Sequence, residues 1–140
     1  MNSLQIVNIL KNDPSPRTVF TDVLPSDRLP REIRKRPRGY ILDTDPSDKP
    51  GAHWVAIYFT EDGKGEFWDS YGQAPGFYSQ NFTQFLGKHC GTFTWNRRIL
   101  KASSDVCGQY TLFFALHRCQ PLHICLRIAK NGMMSLCVIL

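Results

Sequence analysis

No stretch of the chain stays apolar for the ~18–20 residues that a membrane span requires, and the leading residues "MNSLQIVNILKNDPSP" lack the basic start and sustained apolar core of a secretory signal. Both absences point to an intracellular protein. The five cysteines, at 90, 107, 119, 125 and 137, are odd in number and irregular in spacing. That excludes a secreted disulfide framework and favours free thiols in a reducing compartment. No internal repeat is visible, so solenoids and propellers are excluded as well. Acidic residues are scarce in one place: within "RLPREIRKRPRG" only Glu32 stands against Arg28, Arg31, Arg34, Lys35, Arg36 and Arg38. Such a block suits phosphate contacts or a nuclear-import signal, and equally a solvated loop.

What is present is an ordinary globular composition. The 140 residues are 42% hydrophobic and 21% charged, with a net charge of +5, which fits a single domain over residues 1–140 with a core of its own. "LQIVNILKN" carries apolar residues at 4, 6, 7, 9 and 10, a helical stripe that stops before Pro14 and Pro16. From Arg17 to Pro37, prolines at 25, 30 and 37 interrupt any period, predicting an irregular segment with one helical turn at most. "GYILDTD" reads as a strand closed by the turn-rich "PSDKPG". "HWVAIYF" and "EFWDSYG", joined through Asp62-Gly63, form a hairpin whose register sets Asp69 opposite Val55, on the same face as His53.

Beyond the hairpin, "GFYSQNFTQFLGKHC" places Phe77, Phe82, Phe85 and Leu86 at near-helical spacing with Gly87 as a stop, and "GTFTWNRRIL" alternates as a strand does. "KASSDVCGQYTLFFALHRCQ" then predicts a buried helix with Ser104 or Asp105 as N-cap, Cys107 in its first turn and Pro121 beyond its end. The order helix, strand, hairpin, helix, strand, helix defines an α+β fold: a central mixed or antiparallel sheet that contains the hairpin and is flanked by helices.

Cys107 therefore stands where unpaired N–H groups and the helix dipole favour a thiolate. Gly108 leaves room for a substrate backbone beside it, and a first-turn N–H can hold an oxyanion. Taken alone, Cys107 fits a small buried hydrophobe as well as a nucleophile. A nucleophile needs a base and a group to orient that base. His53 and Asp69 supply both if the hairpin register holds. His89, at the end of a polar helix, is a weaker base, and His117 and His123 lie too far along from Cys107 to reach its thiol.

"PGAHWVAIYF", "FWDSYG" and "SSDVCGQY", in that order, resemble the motifs of the adenain-like cysteine proteases, the adenovirus endopeptidase and its relatives in large DNA transposons. More distantly they resemble the SUMO-specific proteases of the same clan. The likeness runs from about Val19 to Gln120, and three ordered motifs are far more specific than one. It implies an adenain-like protease fold in which His53 matches the base, Asp69 the acid and Cys107 the nucleophile, with the Cys107 backbone N–H in the oxyanion hole and Trp54 walling the site beside Gly108. It further implies polypeptide substrates with small residues near the cut, as in capsid precursors or ubiquitin-like tails, and a nuclear or virion setting. DNA, through the Arg28–Arg38 block, or an activating peptide, through Cys90, would be a cofactor; the residues themselves require none.

The chain departs from the family pattern at two places. Leu100 stands at the usual position of an oxyanion-hole glutamine, with Lys101 beside it; losing such a donor costs about 10²–10³ in turnover. The segment after the nucleophile helix, "PLHICLRIAKNGMMSLCVIL", is short for the family, as in a truncated copy. Two further motifs are weaker. His117, Cys119, His123 and Cys125 have poor spacing for one zinc ion, because 117 and 119 point apart on a helix and Pro121 redirects the chain, so no metal site is expected. The closing "CVIL" matches a prenylation pattern at Cys137 but lacks a strongly basic stretch upstream. The expected protein is thus a monomeric cysteine endopeptidase. Its rival is a non-catalytic module of the same fold that binds polypeptide or DNA. An assembled triad with a solvent-reachable Cys107 favours the first, and a sealed thiol the second.

Overall fold

The computed structural model describes residues 1–13, 18–99 and 106–119. Leu100, Lys101, the expected N-cap at Ser104 or Asp105, and everything from Gln120 onward, including Pro121, His123, Cys125 and Cys137, lie outside the described residues. Among the described residues no helix is long and apolar enough to cross a membrane.

The centre of the fold is the hairpin. Strand β3 (Trp54–Phe59) pairs antiparallel with β4 (Lys64–Trp68), with Ala56 opposite Trp68 and Phe59 opposite Gly65. The connection turns at Gly63, whose φ of 85° suits glycine. Strand β2 (Arg38–Asp43) pairs antiparallel on the other side of β3. Strand β1 (Phe20–Pro25) runs parallel to β2, and β5 (Thr92–Trp95) runs parallel to β4. The result is a five-stranded mixed sheet in the order β1-β2-β3-β4-β5, and the protein is α+β, as its sequence pattern implies.

Residues of β3 alternate between two cores, which is why "WVAIYF" is apolar almost without interruption. Trp54 and Ala56 join Phe20, Ile41, Trp68, Phe113 and Phe114 on the face covered by α1 (Ser3–Asn12) and α4 (Cys107–Cys119). Val55, Ile57 and Phe59 join Tyr40, Phe67, Phe82 and Leu86 on the face covered by α3 (Gln80–His89). Helix α4 has Tyr110 through Ala115 buried without a break, consistent with a helix that is apolar nearly all round.

Three expectations need correction. Phe20–Pro25 is a strand and not irregular chain: it is an edge strand, so Pro25 at its end removes no bond the sheet requires. The aromatic stretch after the hairpin is two helices, α2 (Pro75–Tyr78) and α3, separated by Ser79, which is extended (φ −156°, ψ 134°) and whose hydroxyl accepts from Asn81 N–H. Phe77 consequently faces solvent, 67% exposed, instead of extending the buried stripe. Gly87 does not stop α3, which continues to His89 and ends at Cys90.

Candidate active site

His53 immediately precedes β3 and Asp69 immediately follows β4, so both lie at the same rim of the sheet. The observed pairing, continued one residue past β4, sets Asp69 opposite Val55, the register expected from the turn. His53 Nε2 and Asp69 Oδ1 are 2.6 Å apart, with His53 6% and Asp69 0% exposed.

A buried carboxylate must be fully hydrogen-bonded or it will not remain charged. Asp69 heads a tight turn in which Gly72 N–H bonds to its carbonyl and Tyr71 N–H donates to Oδ1 at 3.1 Å, an Asx-turn. Gln73 N–H and the Tyr78 hydroxyl donate to Oδ2, each at 2.9 Å. Gly72 closes the turn at φ 70°, a conformation that suits glycine, with Arg97 backbone only 3.0 Å from where a Cβ would stand. Burial alone would raise the Asp69 pKa; the donors, His53 first among them, hold it below the usual carboxylate value. Asn96, just past β5, clamps the same residue from behind. Its Oδ1 accepts from Asp69 N–H at 2.8 Å, and its Nδ2 donates to the Asp69 carbonyl at 2.5 Å.

The imidazole lies against aromatic rings, stacked on Tyr71 at 4.5 Å and tilted toward Tyr78 at 5.4 Å. With Nε2 given to Asp69, Nδ1 is buried without a hydrogen-bond partner among the described residues, which leaves that edge for the Cys107 thiol. Burial pulls the His53 pKa down, but the bond to Asp69 and the neighbouring Cys107 thiol outweigh it and raise it to about 9. For Cys107 burial pushes the pKa up, and the His53 bond, with backbone N–H groups of Trp54 and Gly108, brings it below the ordinary thiol value. The two shifts agree in direction, each favouring a thiolate beside an imidazolium.

What joins the helix to the sheet is Thr111, fully buried, whose hydroxyl lies 3.0 Å from the Trp54 carbonyl and 2.9 Å from the Cys107 carbonyl. Trp54 thus belongs to the core and to the wall of the site at once. A cleft of about 920 Å³ opens beside it, bounded by Cys107, His53, Asp43, Val23, Pro25 and Met1. Cys107 itself is only 5% exposed. Gly108 does not face open space as expected, because the Met1 side chain already packs against it.

Other candidates lie apart from this centre. Among the described residues no group of three or more His, Cys, Asp or Glu could hold a metal ion. His117 packs on Phe113 late in α4, and His89 packs on Phe59 and Phe85 at the end of α3. Cys90 is a half-buried free thiol donating to the Leu86 carbonyl, its pKa raised by burial. The basic block divides in two. Arg28, Arg31, Arg34 and Lys35 are exposed, whereas Arg38 pairs with Asp22 at 2.6 Å and Arg36 donates to the His89 carbonyl and sits over the Phe59 ring.

Tyr78, Asn96 and Thr111 were not foreseen from sequence. Tyr71 had a signal, as the aromatic position two after the acid, and Thr111 lies one helical turn after Cys107 on α4; Tyr78 and Asn96 reach the site across breaks that no local period records.

No family model matches the chain, and no curated protein matches it. Among solved structures, the chain is similar to the ASFV pS273R protease at 26% identity, over 71% of this chain, with a TM-score of 0.42. The chain spans 38% of the length of that neighbour.

Proposed function

We propose that the chain is a cysteine endopeptidase with Cys107 as nucleophile, His53 as base and Asp69 as its orienting acid. The observation that carries this reading is a fully buried, fully hydrogen-bonded carboxylate bound to a histidine whose other nitrogen is left for a thiol at a helix N-terminus. Titratable groups whose pKa values are shifted together by burial and specific partners cluster at functional sites. In the reaction the thiolate attacks a peptide carbonyl, the C–N bond breaks as His53 gives its proton to the leaving amine, and water, deprotonated by His53, hydrolyses the thioester. The Cys107 backbone N–H supports the oxyanion, and an aliphatic side chain at position 100, where the resembled family has glutamine, has no donor to add. The resemblance suggests extended substrates with small residues at the cut, such as capsid precursors or ubiquitin-like tails, acting inside the cell. DNA held by Arg28, Arg31, Arg34 and Lys35, or a peptide at Cys90, would be an accessory to this chemistry.

A second reading has one observation in its favour. The 5% exposure of Cys107 suits a module of the same fold that binds polypeptide or nucleic acid without cutting. Incubating the protein with a mixed peptide library and sequencing new termini by mass spectrometry separates the two. The protease reading expects wild-type termini that vanish in Cys107→Ala; termini equal in both proteins contradict it.

A further inference from the structure

We propose that the segment Met1–Ser3 is a built-in occupant of the polypeptide groove, competing with an incoming chain for the Trp54 indole and the face of Gly108. This deepens the protease reading and rests on it. The Trp54 indole Nε1–H donates to the Met1 carbonyl at 2.9 Å. That acceptor is a main-chain carbonyl, the group every extended polypeptide presents to a groove. At Gly108, next to the nucleophile, an added Cβ would lie 3.1 Å from Met1 Cβ and 3.3 Å from its Sδ. Met1 therefore fills the space that glycine keeps open beside the thiol.

The placement follows from the helix behind it. Asn2 is the N-cap of α1, with its side chain accepting from Gln5 N–H and its own N–H donating to Gln5 Oε1, both at 2.9 Å. Ile6 and Leu10 anchor α1 in the core below, so the capping box aims Met1 across the cleft. The cover is also removable. Met1 is 41% exposed, and the cleft of about 920 Å³ continues past it toward Asp43 and Pro25. An unbranched thioether adapts to such a seat without being locked in it. The occupant thus bars an extended chain from the groove beside the thiol without itself closing over the sulfur.

The test compares two electrophiles on Cys107: iodoacetamide, small enough to pass Met1, and a peptidyl chloromethyl ketone, which needs the groove. The proteins are wild type, Met1→Gly made by removing a leader that ends immediately before that glycine, and Gln5→Ala, which loosens the capping box without touching the buried face of α1. If the groove is covered in about nine molecules of ten, uncovering it raises the peptidyl rate about tenfold. That is the result expected in Met1→Gly, with a smaller rise in Gln5→Ala, little change toward iodoacetamide, and a return to the slow rate when the peptide Met-Asn-Ser-Leu-Gln is added. A peptidyl rate that is unchanged or reduced in Met1→Gly would make Met1 part of the substrate wall and overturn the proposal while leaving the protease reading intact. If Cys107 reacts with iodoacetamide no faster than Cys90 does, both fall.

Discussion

Asp69 is the residue on which the site turns, because a carboxylate with no exposure survives as an anion only through its donors. Its folded pKa is lowered, so its contribution to stability is present above the ordinary value of 3.8 and is lost as pH falls through the folded value. Tyr78→Phe removes one donor without changing ring packing. It should cost about 1.5–3 kcal/mol in urea unfolding at pH 7, and the acid limb of the stability curve should begin at a higher pH than in wild type. A variant equal to wild type at both would show that the hydroxyl does not support the charge. Only part of this cluster was legible in the sequence. His53, Asp69 and Cys107 were, since two fall at strand ends whose register a Gly turn sets and the third opens an apolar helix. Tyr78 was not, because it reaches Asp69 through a turn and the helix break at Ser79. Asn96 was not either, because its bonds span a parallel crossover.

Thr111 makes a similar case for elements, since it is the tie between α4 and β3. Replacing its hydroxyl by a methyl in Thr111→Val leaves the Trp54 carbonyl short of a buried donor, worth about 1–3 kcal/mol. It also lets α4, with Cys107, shift against the strand that follows His53. The expected outcome is lower stability together with a Cys107 alkylation profile moved to higher pH, both restored in Thr111→Ser. Loss of stability with an unmoved profile would make Thr111 structural only. The elements themselves were legible where a period was clean. The hairpin follows from two β-rich apolar runs joined at Asp62-Gly63, α1 from its helical stripe, and α4 from an apolar run with Cys107 in its first turn. Strand β1 was hidden by its edge position, where Thr21 and Asp22 face outward and parallel pairing leaves no local turn signal. The break between α2 and α3 was hidden by aromatic residues that continue a helical stripe the backbone abandons at Ser79.

For the whole molecule, the sheet separates two cores, and the chemistry sits where they meet at one rim. His53 and Asp69 arrive from a hairpin buried on both faces, and Cys107 arrives from the helix on one face. Neither half carries reactive chemistry alone, so the central claim is that the fold joins them into one titrating unit. Against the opposing pull of burial, their partners raise His53 to about 9 and lower Cys107, both in the direction that favours an imidazolium beside a thiolate. The basic block tells a more limited story at this scale. Arg36 and Arg38 serve the core and the edge of the sheet, which leaves the four exposed cations for any phosphate contact.

The most direct measurement is the pH dependence of Cys107 alkylation by iodoacetamide, read by mass spectrometry in wild type and in His53→Ala, with Cys90 as the internal reference. The account predicts that wild-type Cys107 reacts through a midpoint well below that of Cys90, and that His53→Ala moves the midpoint up by more than about one pH unit. A Cys107 profile that coincides with that of Cys90, or that ignores the loss of His53, would contradict it.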